Sequence, residues 1–431
     1  MRVRVPQPVE RTAEAADAGA RLAACGLLAL SGRPERPCLD GAAVLAAFDE
    51  LAAQVATHSA FIGRRVVVRE EILTERARLL GFSRRGRISV NGSCRLIRAR
   101  DGWLAVNLPR ADDVACVPAW LEMPTGEDVW QVIEQEARNR PGMALVERAR
   151  LLGLAVSMLP SDMPAAQPRR VTAQERNSLP ARSDAGRRRW RPLVVDLSAL
   201  WAGPLAGQIL HRAGATVIKV ECVRRPDAVR HGAPEFFDRL NSGKAHLRLD
   251  FTCPKDLDRL RALIAKADVV ISSARARALD ALGLSPEQLV ERHAGLIWIA
   301  ITGHGLRGPD ALKVGFGDDC AVGGGLVARD EHGEPVFLGD AIADPLTGLR
   351  AAALGLQALR CAEGVVLDVS LRETAALVAQ ADATRAPIMG RLVCIDGRWH
   401  YVGGSPGSRP MAIDHDGPVP SGFVDECVSQ T

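Results

Sequence analysis

Apolar positions recur at helical spacing over Ala13–Leu30 and Gly41–Ala56, so the chain is expected to open with two helices. Between them, Ser31-Gly32-Arg33-Pro34-Glu35-Arg36-Pro37 is turn chemistry. The runs Ser93–Ile97 and Trp103–Leu108 flank Ala99-Arg100-Asp101-Gly102, and an Asp-Gly between two apolar runs predicts a hairpin. Helical spacing returns over 127–158, interrupted at Arg140-Pro141-Gly142. Beyond residue 192 the pattern changes. Short continuous apolar runs at 193–197, 216–221, 268–272, 296–302 and 365–369 alternate with helical segments at 202–210, 255–266, 286–292 and 345–359. That alternation predicts an α/β fold with a parallel sheet covered on both faces. Leu392–Val402 reads as one more hairpin, followed by a Gly/Pro-rich tail.

Residues 161–191 have no period and are rich in Pro, Ser and Arg, which predicts an extended basic linker. The expected organisation is therefore 1–160, a linker over 161–191, a large domain over 192–380, and a return segment and tail over 381–431. Composition narrows the function. Aromatic residues make up 4% and the net charge is only +4, so neither stacking nor charge points to nucleic acid. No apolar run approaches the roughly 20 residues a membrane helix needs, so no membrane partner is expected. The ten cysteines form no C-x-x-C pair and no zinc spacing, so no metal is expected and a reduced, cytoplasmic setting is.

The chemistry concentrates in Lys313–Leu349. Gly323-Gly324-Gly325 offers backbone that a ligand can approach closely. In Ala343-Asp344-Pro345-Leu346-Thr347-Gly348, Asp before Pro predicts a helix start with Asp344 at the N-cap. The helix dipole would keep that carboxylate ionised. Such an Asp is either a cap or a nucleophile. Asp318 and Asp319, just before the glycines, read as a solvated loop or as support for an oxyanion. With His304 they could also do acid–base work.

Several runs together resemble class III coenzyme A transferases. They are Val195-Asp196-Leu197, Ala202-Gly203-Pro204, Gly214–Glu221, Asn241-Ser242-Gly243-Lys244, Ala267–Val270, Leu282-Gly283-Leu284, Gly303-His304-Gly305, Ala343–Gly348 and Leu367–Leu371. Each is weak alone; their order and spacing over about residues 192–380 carry the resemblance. It implies a Rossmann-like parallel sheet with helices on both faces plus a smaller α+β domain. It also implies a homodimer acting on an acyl-CoA and a carboxylic acid, with the CoA thioester as substrate and no permanently bound cofactor. Residues 24–37 are similar to 324–335, and Asp101-Gly102-Trp103 is similar to a hairpin of the family's small domain. Residues 1–160 thus resemble the later part of a degenerate second unit.

By the same resemblance Asp344 is the residue that attacks the thioester, with Gly323–Gly325 covering the intermediate. Ala202, Gly203, Arg224, Arg225, Ser273 and Lys313 fall where the family contacts CoA. Departures stand beside these matches. Ala199 and Trp201 occupy positions that are His and Gln in the family's formyl-CoA transferases, and Ser273-Ala274 replaces Asn-Phe. Trp201 would favour a bulkier, more apolar acyl group than oxalate. An acyl-CoA racemase or isomerase, or an inactive CoA-binding scaffold, are the other readings. A dinucleotide oxidoreductase is disfavoured, because no G-x-G-x-x-G follows the first strand of the βαβ region.

Overall fold

The computed structural model describes residues 18–124, 126, 128–161, 170–171, 191–361, 364–382, 388–405, 407–413, 419 and 422–424. Most of the expected linker and tail, and the start of the first expected helix, lie outside these. The described chain begins with helical turns at 18–24 and Leu27–Leu30. A tight antiparallel pair follows, Gly32–Arg33 against Arg36–Pro37. Then come α1 (Ala42–Ser59) and the short α2 (Glu75–Leu79).

An α+β unit comes next. It comprises β1 (Cys94–Ala99), β2 (Gly102–Asn107), α3 (Val129–Asn139), α4 (Gly142–Leu152) and β3 (Ala155–Met158). The β1–β2 hairpin turns through Arg100-Asp101, as the Asp-Gly signal implied. Residues 155–158 depart from the expected helix. Gly153 ends α4 at φ 69°, and pairing with β2 then buries Ala155 and Val156 while satisfying their backbone groups. Ile97, Val106, Trp120, Ile133 and Leu145 form this unit's own core.

The large sheet is built from β4 (Leu193–Leu197), β5 (Thr216–Cys222), β6 (Ala245–Leu249), β7 (Val269–Ser272), β8 (Ile297–Thr302) and β9 (Val365–Ser370). Helix α5 (Ala202–Arg212) follows β4, and α6 (Gly317–Gly323) and α7 (Ala343–Cys361) lie between β8 and β9. Helix α8 (Leu371–Asp382) follows β9. The strand order is β6-β5-β4-β7-β8-β9, all parallel, and Arg170–Val171 adds an antiparallel edge on β9. Strand β6 went unread because it is a polar edge, with only Leu249 buried. The order reverses between β4 and β7, and in such sheets ligands bind beyond the carboxyl ends at that point.

One apolar core contains Leu22, Val44, Phe48 and Leu73 together with Leu205, Ile299, Leu346 and Leu356. Residues 18–73 therefore pack with the large sheet, and α1 lies on α7. Burying Leu346 and Leu349 completely contributes about 1.5–3 kcal/mol each. The two regions of similar sequence face each other. Arg33 donates to Asp330 at 2.8 Å, and the Arg329 N–H donates to Asp40 at 2.8 Å. The Asp40 carboxylate is thus committed to a backbone contact.

The turn Asn241–Lys244 is structural. Buried Lys244 donates to Asp196 of β4 (2.9 Å), to the Pro204 carbonyl (2.8 Å) and to Asn241 (3.0 Å). It thereby fixes the start of α5. Burial brings the Lys244 pKa down to about 8, with Asp196 opposing that shift. Among the described residues no helix is long and apolar enough to cross a membrane.

Candidate active site

Four elements converge at the carboxyl end of the sheet: the starts of α5, α6 and α7, and α2 from the N-terminal region. Gly348 lets α7 approach α5 closely, since a Cβ there would sit 2.6 Å from the Ala202 carbonyl oxygen. The Ala202 N–H then donates to the Asp344 carboxylate. Gly317, which opens α6, faces the same carboxylate: a Cβ at that position would meet Asp344 Oδ2 at 2.2 Å.

Helix α7 begins at Ala343, so Asp344 lies in its first turn and not ahead of it. The expectation of a fully ionised cap does not hold. Burial raises the Asp344 pKa to about 7; Arg76 and the Ala202 N–H oppose the rise, and Asp340 and Asp319 add to it. Desolvation and neighbouring acids outweigh the helix dipole, although Asp344 lies in the first turn, where the dipole acts. The side chain sits deep among protein atoms, and the residue keeps partial solvent access.

Arg76 is the cation of this cluster. It holds Asp340 through two hydrogen bonds, the Nε contact at 2.8 Å, and its guanidinium lies 4.9 Å over the Trp201 ring. Burial works against its charge, but Asp340, Asp318 and Asp344 more than compensate, so its pKa is raised. Asp340 is fully buried. Trp201 is also buried, edge-on to Phe236, and its indole N–H has no hydrogen-bond partner.

Asp318 and Asp319 are not solvated. Both are buried in the first turn of α6. Asp318 accepts from the Ala341 N–H at 2.9 Å, and the Ala341 carbonyl accepts from the Asp344 N–H at 2.8 Å. Ala341 has φ 42°, a conformation disfavoured for a residue with a Cβ. Asp318 thus pins the strained turn that aims Asp344. Asp319 accepts from Phe316 N–H (2.9 Å) and from Asn107 of β2 (3.0 Å). Burial raises both carboxyls, Asp318 to about 7 and Asp319 to about 6. His304 Nε2 lies 3.9 Å from Cys320 Sγ, which lies 3.8 Å from Asp319. Burial lowers His304 to about 4 and pushes Cys320 well up, so imidazole and thiol are both neutral.

The glycine triplet lies elsewhere. Gly323 faces Ser157 of β3, and Gly324 packs the end of α6 against α8, where a Cβ would sit 2.6 Å from the Arg372 carbonyl oxygen. The N–H groups of Gly324 and Gly325 donate to carbonyls of α6 at 2.9 Å and are not free for an oxyanion. Gly317 is the glycine against Asp344. Gly203 accommodates Ser198, which a Cβ would meet at 2.2 Å. Ser273 accepts from the Ala199 N–H at 2.9 Å, tying β7 to β4 at the switch point. Lys313 is held by Asp310 (2.9 Å) and Glu147 (3.4 Å), and Arg224 by Asp250 (3.0 Å), while Arg225 is exposed.

Residues 192–398 match the family model described as CoA-transferase family III. This segment belongs to that family. The chain is similar to succinate–glutarate CoA-transferase of Agrobacterium fabrum, 33% identical over 220 residues, covering 46% of this chain and 54% of that one. It is also similar to succinyl-CoA–D-citramalate CoA-transferase of Chloroflexus aurantiacus, 32% identical over 200 residues (42% and 50% covered). Among solved structures, a CAIB/BAIF family protein from Brucella suis is 28% identical, with 49% of this chain and 65% of that one covered and a TM-score of 0.44. The chain spans about half the length of the curated relatives it matches. The family III segment supplies Asp344, Asp318, Asp319 and Asp340, whereas Arg76 and Asn107 come from outside it. Sequence reading missed these two because an Arg in a short helix and an Asn in a hairpin carry no motif.

Proposed function

We propose that this chain transfers coenzyme A between an acyl-CoA thioester and a carboxylic acid, with Asp344 as the nucleophile. The observation that carries the reading is a partly accessible carboxyl set among the buried Asp318, Asp319 and Asp340 and the cation Arg76, where burial raises its pKa to about 7. Such a group is more basic than an ordinary carboxylate, yet substantially ionised at neutral pH. One Asp344 oxygen attacks the thioester carbon; the C–S bond breaks, leaving an aspartyl anhydride and CoA thiolate. The thiolate then attacks the aspartyl carbonyl, releasing the donor acid and forming an aspartyl-CoA thioester. The acceptor carboxylate attacks that thioester, and the displaced thiolate takes the acceptor's acyl carbon, restoring Asp344. The Ala202 N–H orients the carboxylate. The names of the relatives carry succinyl and glutarate groups, but here Arg76 is already taken by Asp340. We therefore assign an apolar acyl group without a second carboxylate. A cytoplasmic homodimer belongs to the same proposal.

Intact-mass measurement during turnover, with hydroxylamine as trap, tests this reading. The expected result is a hydroxamate on the peptide containing Asp344; its absence across a panel of acyl-CoAs would sink the proposal. Exchange of an α-proton with deuterated water in the absence of any acceptor acid would instead support a racemase using the neutral His304 and Asp319.

The pH dependence follows from the sign of the shift. Only the ionised Asp344 attacks, so kcat/KM is expected to rise with pH and level off above about 7. Stability is expected to move the other way. Asp318, Asp319 and Asp344 hold protons in the folded state that the unfolded chain releases near pH 4. Their contribution is therefore lost as pH rises through about 6 to 7. Thermal unfolding between pH 5 and 8 checks it.

A further inference from the structure

A second cleft, of about 400 Å³, lies between the turn at residues 33–35, segment 85–88 and strand β1, with α3 at its rim. None of its lining residues belongs to the Asp344 cluster. Six arginines line it against two glutamates, Glu35 and Glu134. Three of the arginines have carboxylate partners. Arg33 holds Asp330, Arg87 reaches Glu334 at 2.6 Å, and Arg95 reaches Glu134 only at 3.7 Å. Arg95 also leans over Trp130 at 4.4 Å, which leaves its Nε buried without an acceptor. The other three, Arg85, Arg98 and Arg138, are exposed and have no carboxylate partner among the described residues.

These features specify a ligand. A buried N–H with no acceptor is a deficit that a bound oxygen would remove. Counting Asp330 and Glu334 with the two lining glutamates, the six arginines still exceed the carboxylates around the cleft by two, and the unpartnered guanidiniums repel one another until an anion enters. The indole of Trp103 is taken up by the guanidiniums of Arg87 (5.0 Å) and Arg98 (5.4 Å), so recognition here is by charge and N–H donation and not by base stacking. The arginine forks come from four separate elements: the turn at 33–35, segment 85–88, β1 and α3. A planar carboxylate faces one fork well, whereas a tetrahedral phosphate offers three oxygens and up to two charges to several forks at once.

We propose that this cleft binds a small, multiply charged phosphate anion, independently of the chemistry at Asp344. Two sources share that chemistry: a free polyphosphate and the phosphorylated end of a nucleotide such as CoA. Calorimetric titration of the full chain with pyrophosphate, with 3′-phosphoadenosine 5′-diphosphate and with citrate separates them. Pyrophosphate is expected to bind one saturable site, weakened roughly tenfold or more in an Arg98→Ala/Arg138→Ala double variant. Both side chains are exposed, so folding should survive, and a thermal unfolding curve checks that; Arg98→Lys should bind at intermediate strength. Equal stabilisation of wild type and double variant by pyrophosphate would overturn the assignment, as would citrate binding as tightly as pyrophosphate. If only the nucleotide binds, and the double variant loses one of its sites, the cleft is an anchor for phosphorylated nucleotide. If no probe shows a site sensitive to Arg98 and Arg138, the proposal fails, while Asp344 trapping is untouched by that result.

Discussion

Asp344→Asn is expected to lower CoA transfer by roughly 10³-fold or more while leaving the protein folded. The amide keeps the volume of the carboxyl and can still accept from the Ala202 N–H. It cannot attack a thioester to give an anhydride. The same substitution removes an acid from beside Asp340 and Asp319, both of which push the Asp344 pKa up, so stability at pH 8 should hold or rise slightly. This split between activity and stability distinguishes a nucleophile from a packing residue. Asp344→Ala should lose as much activity, and in addition leaves the Ala202 N–H without its acceptor. Acyl-CoA and acceptor-CoA separated by chromatography give the rate, and a melting curve gives the stability. Retention of more than about a tenth of the activity in Asp344→Asn would exclude covalent catalysis at this residue.

The second large effect is expected at Arg76. Its ion pair with Asp340 is largely buried, with side-chain exposures of 20% and 0%. Arg76→Met leaves Asp340 charged and unpaired in the interior, which should cost about 3–5 kcal/mol. Asp340→Leu in the same chain removes the stranded charge, so the double variant should recover much of that stability. Catalysis should not recover in the same way. Arg76 draws the Asp344 pKa down, and without it the rise of kcat/KM should move to higher pH in the Arg76→Met variant. A pH–rate profile that does not move would show that Arg76 serves only the fold. Because Arg76 lies outside the family III segment, the same measurement asks whether the N-terminal region takes part in catalysis.

Much of this molecule is legible along the chain. The runs at 193–197, 216–221, 268–272, 296–302 and 365–369 are continuous and apolar because both faces of the sheet are covered, so each became a strand within a residue or two. Asp344 was legible through Ala343–Gly348, where a helix start and a close-packing glycine must coincide. Strand β6 was not, because an exposed edge strand needs no apolar run. Helix α6 was not, because seven residues are too few to show a period, and so its two acids read as a loop.

What the sequence determined by itself was most of the strands and helices beyond residue 192, the resemblance of residues 192–398 to their family, and Asp344 as the candidate carboxylate. Tertiary structure alone decided the state of that carboxylate. A pKa near 7 depends on which charges lie nearby and how much water remains. Those neighbours, Arg76, Asp340 and Asp319, are 268, 4 and 25 residues away along the chain. No local pattern encodes the approach of Arg76 and Asp319 over such separations. It also decided which glycine approaches Asp344: three adjacent glycines drew attention to one end of α6, while the single Gly317 at its other end lies against Asp344 Oδ2.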